Sequence, residues 1–391
     1  MKAGGGLALG ADAGAAARQA VGEARASLGG LAPSLAVLFA SEHFFGSAEA
    51  LVAAVADQAG QAPLIGCVAE AVAGGPREVE SEPAVAVWLA ADAGPVETFA
   101  MEYTGTPSGG VFGGYLFGPA PAAARLMICD PFTFPVGDLL THLNQHVPGA
   151  TVMGGMASGG LRFGQSRLFL DGRVRSRGAV GVSLPRAEIH PLVAQGCRPV
   201  GDPFTTTRAD GNVIFELGGR SPLDRLRELA AALPARDREL LAQGVHLGMV
   251  MNEYQAERGQ GDFLIRGVVG TDPESGAIAV GDAVAVGQTV QFHVRDAQSA
   301  DADLRRLLER EAAALGGRQP AGALLFTCNG RGSRLFPGPD HDAGLLAEVL
   351  GDIPAAGFFC AGELGPVGGQ NFLHAFTASI AVFPSGGSPG T

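Results

Sequence analysis

The chain is short of charge. Of its 391 residues only 17% are charged and 6% aromatic, with a single Trp. Lys and Arg together number 27 against 39 Asp and Glu, a net charge of −12. A chain without a basic face has little nonspecific affinity for nucleic acid, and anionic membrane surfaces are disfavoured for the same reason. Long apolar runs are also missing: none reaches the roughly 18–20 residues of a membrane span. The opening stretch MKAGGGLALGADAG lacks the compact apolar segment of a signal peptide. A cytoplasmic protein is expected. Cysteine is sparse: Cys67, Cys129, Cys197, Cys328 and Cys360 are odd in number, widely spaced and free of any C-x-x-C pair. That excludes a disulfide framework and a zinc site and leaves free, buried thiols. No metal site is expected. No P-loop, strand-linked G-x-G-x-x-G or H-E-x-x-H motif is present, and Ser158 does not stand in a G-x-S-x-G elbow, so nucleotide binding and the common hydrolases lose their usual signatures.

Glycine and proline are plentiful, at 60 and 25 residues, within a chain that is 47% hydrophobic. The glycines follow no G-X-Y period and sit between short apolar runs, which points to many turns and close backbone approaches. The length suits one large domain or two ordinary ones. Residues 12–28 read as a helix within an N-terminal helical extension over 1–30.

A search for internal repeats is productive. An apolar strand at 35–39 ends in Ser41-Glu42-His43, a helix follows at 46–59, and a second strand at 63–67 runs past Glu70 into Gly74-Gly75. A third strand lies at 84–89. The order returns from residue 125, with a strand at 126–128, a helix at 138–146, a strand at 151–155 containing Gly154 and Gly155, and the loop Met156-Ala157-Ser158-Gly159-Gly160. Strands follow at 167–170 and 179–184. It returns again from residue 323: a strand into Cys328-Asn329-Gly330-Arg331-Gly332, a helix at 341–350, a strand at 357–360, Gly362-Glu363 leading to Gly368-Gly369, and a strand at 378–383. By this alignment Glu70, Ser158 and Glu363 hold corresponding slots. The middle differs: Ser221-Pro222 opens a helix to 233, residues 245–294 read as β-strands, and 299–315 as an amphipathic helix with Leu304, Leu307 and Leu308 on one face. The fold class is α/β: layered mixed sheets with flanking helices, internally repeated strand-helix-strand-strand units, and pseudo-symmetry. Domains are expected at 31–210 and 211–383, with a disordered tail at 384–391.

The segments SEHFFGSAEALVAAV, GGPREVESEPAVAVWLA, GGMASGG, QGCRPVG, VQFHVRDAQSADADL, LLFTCNGRG and GFFCAGELGPVGGQNFLHAFT resemble the FIST family, in N-terminal FIST followed by C-terminal FIST order from about residue 31 to 383. The resemblance implies a sensory module for a small ligand, with amino acids the proposed class; the missing catalytic motifs argue against an enzyme, and a ligand-free interaction scaffold using an exposed apolar patch is a further alternative. Some members similar in sequence bind haem and respond to nitric oxide. In other members the region is joined to an F-box or a signalling output. Here the residues before 31 are too few for an F-box and no kinase or cyclase region follows, so output is expected through a separate signalling partner.

Gly-rich turns after strands let backbone N–H groups approach a ligand, which singles out Gly154, Gly155 and the Ser158 hydroxyl. A tight turn beside a packed helix accounts for the same glycines. Arg198, Arg266, Arg295 and Arg331 stand at strand ends or Gly-flanked turns, where a planar guanidinium can fork a ligand carboxylate. Glu70, Glu363 and Asp296 are candidates for an ammonium, and Asn329 and Asn371 for polar contacts. Structural ion pairs and helix caps are the competing account of these charges. For the haem alternative, His43 and His374 are the axial candidates. Cys328 or Cys360 beside a His is the constellation for covalent catalysis.

Overall fold

A computed structural model describes residues 1–106, 109–118, 124–255 and 258–385. The chain forms two compact units, Met1–Val193 with Leu304–Thr391, and Ala194–Asp303.

The first unit holds the repeat three times. In the first copy, strand Leu35–Ser41 passes through a 3-10 turn and helix Ala48–Gln58 into strand Leu64–Ala69, hairpin Val72–Gly74/Arg77–Val79 and strand Ala84–Ala91. The second copy runs Ala124–Cys129, helix Val136–His146, Thr151–Met156, hairpin Leu168–Leu170/Arg173–Arg175 and Ala179–Leu184. The third runs Pro320–Cys328, helix His341–Leu350, Ala355–Cys360, hairpin Glu363–Val367/Gln370–His374 and Thr377–Pro384. In each copy the first two strands pair in parallel and the last lies antiparallel to the first.

The hairpins do not return to their own sheets; they are exchanged in a cycle. The first copy's hairpin joins the third copy's sheet through Phe358↔Val72, the second joins the first through Cys67↔Leu168, and the third joins the second through Gly155↔Glu363. One glycine per copy marks the common register. A Cβ on Gly66, Gly154 or Gly357 would lie 1.8, 1.9 or 2.1 Å from the carbonyl oxygen of Leu38, Met127 or Leu325, so no side chain fits at that point. Counting from these glycines, Glu70 and Ser158 do correspond. Glu363 does not: its partners across the ladder equate it with Val72 and Leu168, which lie beyond Glu70 and Ser158 in the chain.

The strands read as unbroken apolar runs because both faces are buried. Leu35, Val37 and Phe39 face a central core shared by all three sheets, while Ala36, Leu38 and Ala40 face the helices. In the central core Phe39 and Phe358 have ring centroids 4.9 Å apart, as do Trp88 and Phe383.

The N-terminal extension is only partly helical. Lys2–Leu9 is a strand paired with Ala84–Ala91 from Lys2↔Ala91 to Leu9↔Ala84. Helix Ala13–Leu28 follows, capped by the Asp12 side chain accepting from the Ala15 N–H. It presses so close that a Cβ on Gly4 or Gly6 would meet the Ala24 or Ala20 carbonyl at about 2 Å, which explains the glycine run.

The second unit is an antiparallel β-structure whose pairing closes on itself. The order is Thr289–Arg295, Phe204–Asp210, Val213–Leu217, Ile278–Val280, Phe263–Thr271 and His246–Val250, the last pairing back on Thr289–Arg295. Ile214, Leu247, Ile278, Val290 and Phe292 fill it. Helix Pro222–Ala232 begins as the sequence predicts, with Ser221 Oγ accepting from Asp224 N–H at 3.2 Å. The expected boundary at 210/211 falls in the turn of the hairpin Phe204–Asp210/Val213–Leu217. The compact units are therefore not successive halves: residues 194–303 are inserted between the second and third copies of the repeat. Helix Ala297–Ala314 returns the chain, with Leu304 and Leu308 buried and Leu307 half-buried. The expected tail at 384–391 lies, beyond residue 385, outside the described residues; Pro384 ends the last strand.

No helix among the described residues is long and apolar enough to cross a membrane.

Candidate functional site

The hairpin exchange brings the end of the third copy's first strand beside the loop and hairpin of the first copy. A cleft of about 340 Å³ opens there, with Glu70, Glu78, Glu80, Asn329, Ser333 and Arg334 on its wall and Phe359 among its apolar lining. Local bonds fix each polar group. The Glu70 N–H donates to Ser158 Oγ at 2.9 Å, and that hydroxyl donates in turn to the Phe359 carbonyl. Asn329 Nδ2 donates to Glu70 Oε2 at 3.3 Å, and Arg334 pairs with Glu70 Oε1. Glu80 accepts from the Ser333 N–H at 2.8 Å and the Ser333 hydroxyl at 2.6 Å. That grip needs Gly332 at φ 55°, where a Cβ would also run into Glu80.

Behind the wall lies a buried ionic network. Arg331, 1% exposed, forks Asp342 through Nε and Nη2 at 2.7 Å each. Thr327 Oγ1 donates to Asp342 at 2.6 Å and His341 Nδ1 lies 2.9 Å from it. Burial works against the Asp342 charge, but Arg331 and these hydrogen bonds outweigh it and hold the carboxyl well below its usual range. Glu78 Oε1 accepts the N–H groups of Asp342 and Ala343 at 2.9 and 3.0 Å, filling donors that the start of helix His341–Leu350 leaves open. Burial, then the neighbouring Asp342 charge, push Glu78 up to about 8. Glu363, with no exposed surface, accepts both Thr377 donors through Oε2 and is pushed up to about 8 by burial. Three atoms here have no hydrogen-bond partner among the described residues: Glu78 Oε2, Arg331 Nη1 and Glu363 Oε1.

The sequence candidates divide between this region and others. Glu70 and Asn329 line the cleft and Ser158 braces it from behind. Arg331 and Glu363 belong to the buried region, and neither lines the wall. Gly154 and Gly155 are sites of backbone packing: a Cβ on Gly155 would meet Cys360 Sγ at 2.3 Å. Asn371 is a brace, accepting from Val152 N–H at 2.9 Å and donating to the Ala150 carbonyl at 2.7 Å. Arg198, Arg266, Arg295 and Asp296 belong to the second unit. There Arg198 Nε pairs with Asp296 at 2.7 Å and Arg266 with Asp282 at 2.9 Å. Asp296 also accepts the Gln298 N–H at the start of its helix, and Arg295 pairs across the ladder with Cys197. Arg198, Arg266 and Asp296 follow the ion-pair and capping account.

His43 is exposed, with Nδ1 3.2 Å from Ser41 Oγ; His374 is buried and donates from Nε2 to the Gly365 carbonyl at 3.0 Å. Neither lines the cleft. With Nε2 of the buried ring committed and the other ring in solvent, the two do not fit a haem seat. Burial raises the Cys67 and Cys360 thiols and pushes Cys328 to about 12, which disfavours the nucleophilic thiolate. Among the described residues no group of three or more His, Cys, Asp or Glu is placed to hold a metal ion.

Glu78, Glu80, Ser333, Arg334 and Asp342 were not among the sequence candidates. Their signal was present in part: Glu78 and Glu80 sit in PREVESEP and Arg334 three residues beyond Arg331.

Comparison with known proteins gives these residues a context. The family model for the FIST N domain matches residues 34–220 and that for the FIST C domain residues 222–366, a division ten residues from the expected boundary. An uncharacterized protein of Mycobacterium tuberculosis is 51% identical over 383 residues, covering 98% of this chain and 100% of its own. An uncharacterized protein of Mycobacterium bovis is 49% identical over 383 residues, covering 98% and 99%. The chain belongs to the FIST family, whose domains are recognised as small-ligand sensory domains in signal transduction.

Proposed function

We propose that the protein is a cytoplasmic sensor that takes a small polar metabolite, an amino acid or close relative, into the cleft walled by Glu70, Glu78, Glu80, Asn329 and Arg334. The observation that carries this reading is the convergence of those side chains on one cleft of ligand size. Arg334 is the guanidinium at the wall for a carboxylate, and the three glutamates are the acceptors for an ammonium. Binding shifts the population of conformers, and a separate partner protein reads the shift. The test is thermal unfolding of the purified protein against the twenty standard amino acids and their 2-oxo and 2-hydroxy acid counterparts. A ligand that binds only the native state stabilises it by mass action, by about 2.7 kcal/mol at a hundred times its Kd, and so raises the melting temperature. One chemical class is expected to raise it and the others to leave it unchanged; a flat response across the whole set sinks the reading.

A further inference from the structure

Glu78 breaks the repeat. Its partner across its hairpin is Ala73, and Ala73 stands opposite Gly357 in the register. The same two steps from Gly66 and Gly154 lead to Val174 and Leu373. The architecture therefore fills this position with an aliphatic side chain twice, and only the copy at the cleft carries a carboxylate. Glu78 is buried, with 7% of its surface exposed, and its carboxylate is rigidly held. Oε1 is bound by the two N–H groups of Asp342 and Ala343, and the Glu78 N–H donates to Asp340 Oδ1 at 2.6 Å. Oε2 has no partner among the described residues while its side chain forms part of the cleft wall. An acceptor left open in this way costs free energy until a donor reaches it.

The surrounding charges decide which donor. Asp340, His341 and Asp342 stand at the start of the helix beneath, Arg331 and Arg334 on the turn opposite, Glu70 and Glu80 along the wall, and Arg77 next to Glu78 on its own strand. Arg331 is forked to Asp342 and Arg334 paired to Glu70. The wall carries the carboxylates of Glu70 and Glu80 beside Glu78 against the Arg334 guanidinium, which favours a cationic donor at Oε2 over an anion. We infer that Glu78 Oε2 seats the ammonium group of the ligand, so that the cleft selects primary amines and releases a proton on binding them. This rests on the ligand reading above.

The proton balance is simple. At neutral pH the free cleft keeps Glu78 protonated, because burial and Asp342 hold it up to about 8. The ligand arrives and remains as R–NH3⁺. Its charge favours the carboxylate, the proton on Glu78 passes to solvent, and an ammonium N–H takes its place as the hydrogen-bond partner.

The experiment is calorimetry at pH 7 in two buffers of different ionisation enthalpy, with the amino acid that responds in thermal unfolding and its matching 2-hydroxy acid. The amine is expected to bind at least about tenfold more tightly, the worth of one charge-assisted hydrogen bond, with release of close to one proton. Glu78→Gln keeps an oxygen for the Asp342 and Ala343 N–H groups and is expected to abolish both the proton release and the preference. Should that variant fail to fold, the wild-type proton count and amine preference decide alone. Equal binding of the hydroxy acid, or heats that do not depend on buffer, overturns the inference and leaves the ligand reading standing. Silence of every amino acid with a response from an amine-free counterpart does the same. Silence of the whole set overturns both.

Discussion

Glu363→Gln is the most informative single change in the buried region. The wild-type carboxyl sits with no exposed surface, accepts from both Thr377 donors through one oxygen and leaves the other unfilled. Burial raises it from 4.5 to about 8. The folded state therefore keeps a proton that the unfolded chain releases above about pH 4.5, and a native state that binds more protons loses stability as pH rises. The loss continues until pH passes about 8, where the folded state releases its proton too. At about 1.4 kcal/mol per pH unit while only the folded state holds the proton, this one group accounts for about 3 kcal/mol between pH 5.5 and 8.5. Gln has nearly the same shape, retains an oxygen for the Thr377 donors and does not titrate. The variant is expected to flatten the pH profile by that amount and to exceed wild type in stability at pH 8.5. Trp88 is the only tryptophan and lies fully buried in the same compact unit, so urea unfolding followed by its fluorescence reads the relevant unit. Parallel profiles for wild type and variant over this range would refute the argument, because they would mean that Glu363 ionises in the fold as freely as in the unfolded chain.

Two further outcomes follow from the same reasoning. Asp342→Ala leaves the Arg331 guanidinium buried without a counterion, and Trp88-monitored unfolding should fall by about 3–5 kcal/mol, whereas Arg331→Met with Asp342→Leu recovers most of the loss; a single-variant cost under about 1 kcal/mol counts against the network. In the second unit His246 and His293 are pushed down to about 4, mainly by burial, so the folded rings stay neutral while the unfolded ones charge below about 6.5. The stability they contribute is present at neutral pH and is lost as pH falls from about 6.5 toward 4; NMR titration should find both rings neutral at pH 5.5, and a midpoint above pH 6 for either refutes this.

Much of the fold was legible because it rests on local signals. Strands buried on both faces read as apolar runs, as 35–39 did, and Ser221-Pro222 announced its helix. What could not be read was pairing. Nothing near Val72 or Arg77 in the chain says that their hairpin adds to strand Ala355–Cys360, about 280 residues later. The inserted unit was missed for the same reason, since a hairpin turn at 211–212 looks like any polar break between domains. The candidate site suffered accordingly. Glu70, Ser158 and Asn329 were found because each stands at a strand end within its own copy. Glu78 and Glu80 reach the cleft only through the exchange, and their hairpin gave no local cue to chemistry.

The repeat nevertheless supplies a criterion for function that composition lacks. Three copies of one unit solve the same packing problem, so a position that is aliphatic in two and ionisable in the third is not explained by packing. Two buried glutamates meet that test. Glu78 stands where the other copies have Val174 and Leu373, and Glu363 where they have Val72 and Leu168. Both carboxyls are pushed up to about 8, each has one oxygen unfilled among the described residues, and the same Arg331 offsets part of the burial cost of each. By contrast Asp130, another buried acid of the repeat, has both oxygens occupied by the Ser166 and Thr133 hydroxyls, as a purely structural group does. The two exceptions flank one guanidinium, so a change of charge on Glu78 at the cleft wall alters the field at Arg331 and, through it, at Glu363 in the interior. Coupling of that kind makes a specific demand: Glu363→Gln should move the pH at which Glu78 gives up its proton, although Glu363 is not part of the cleft.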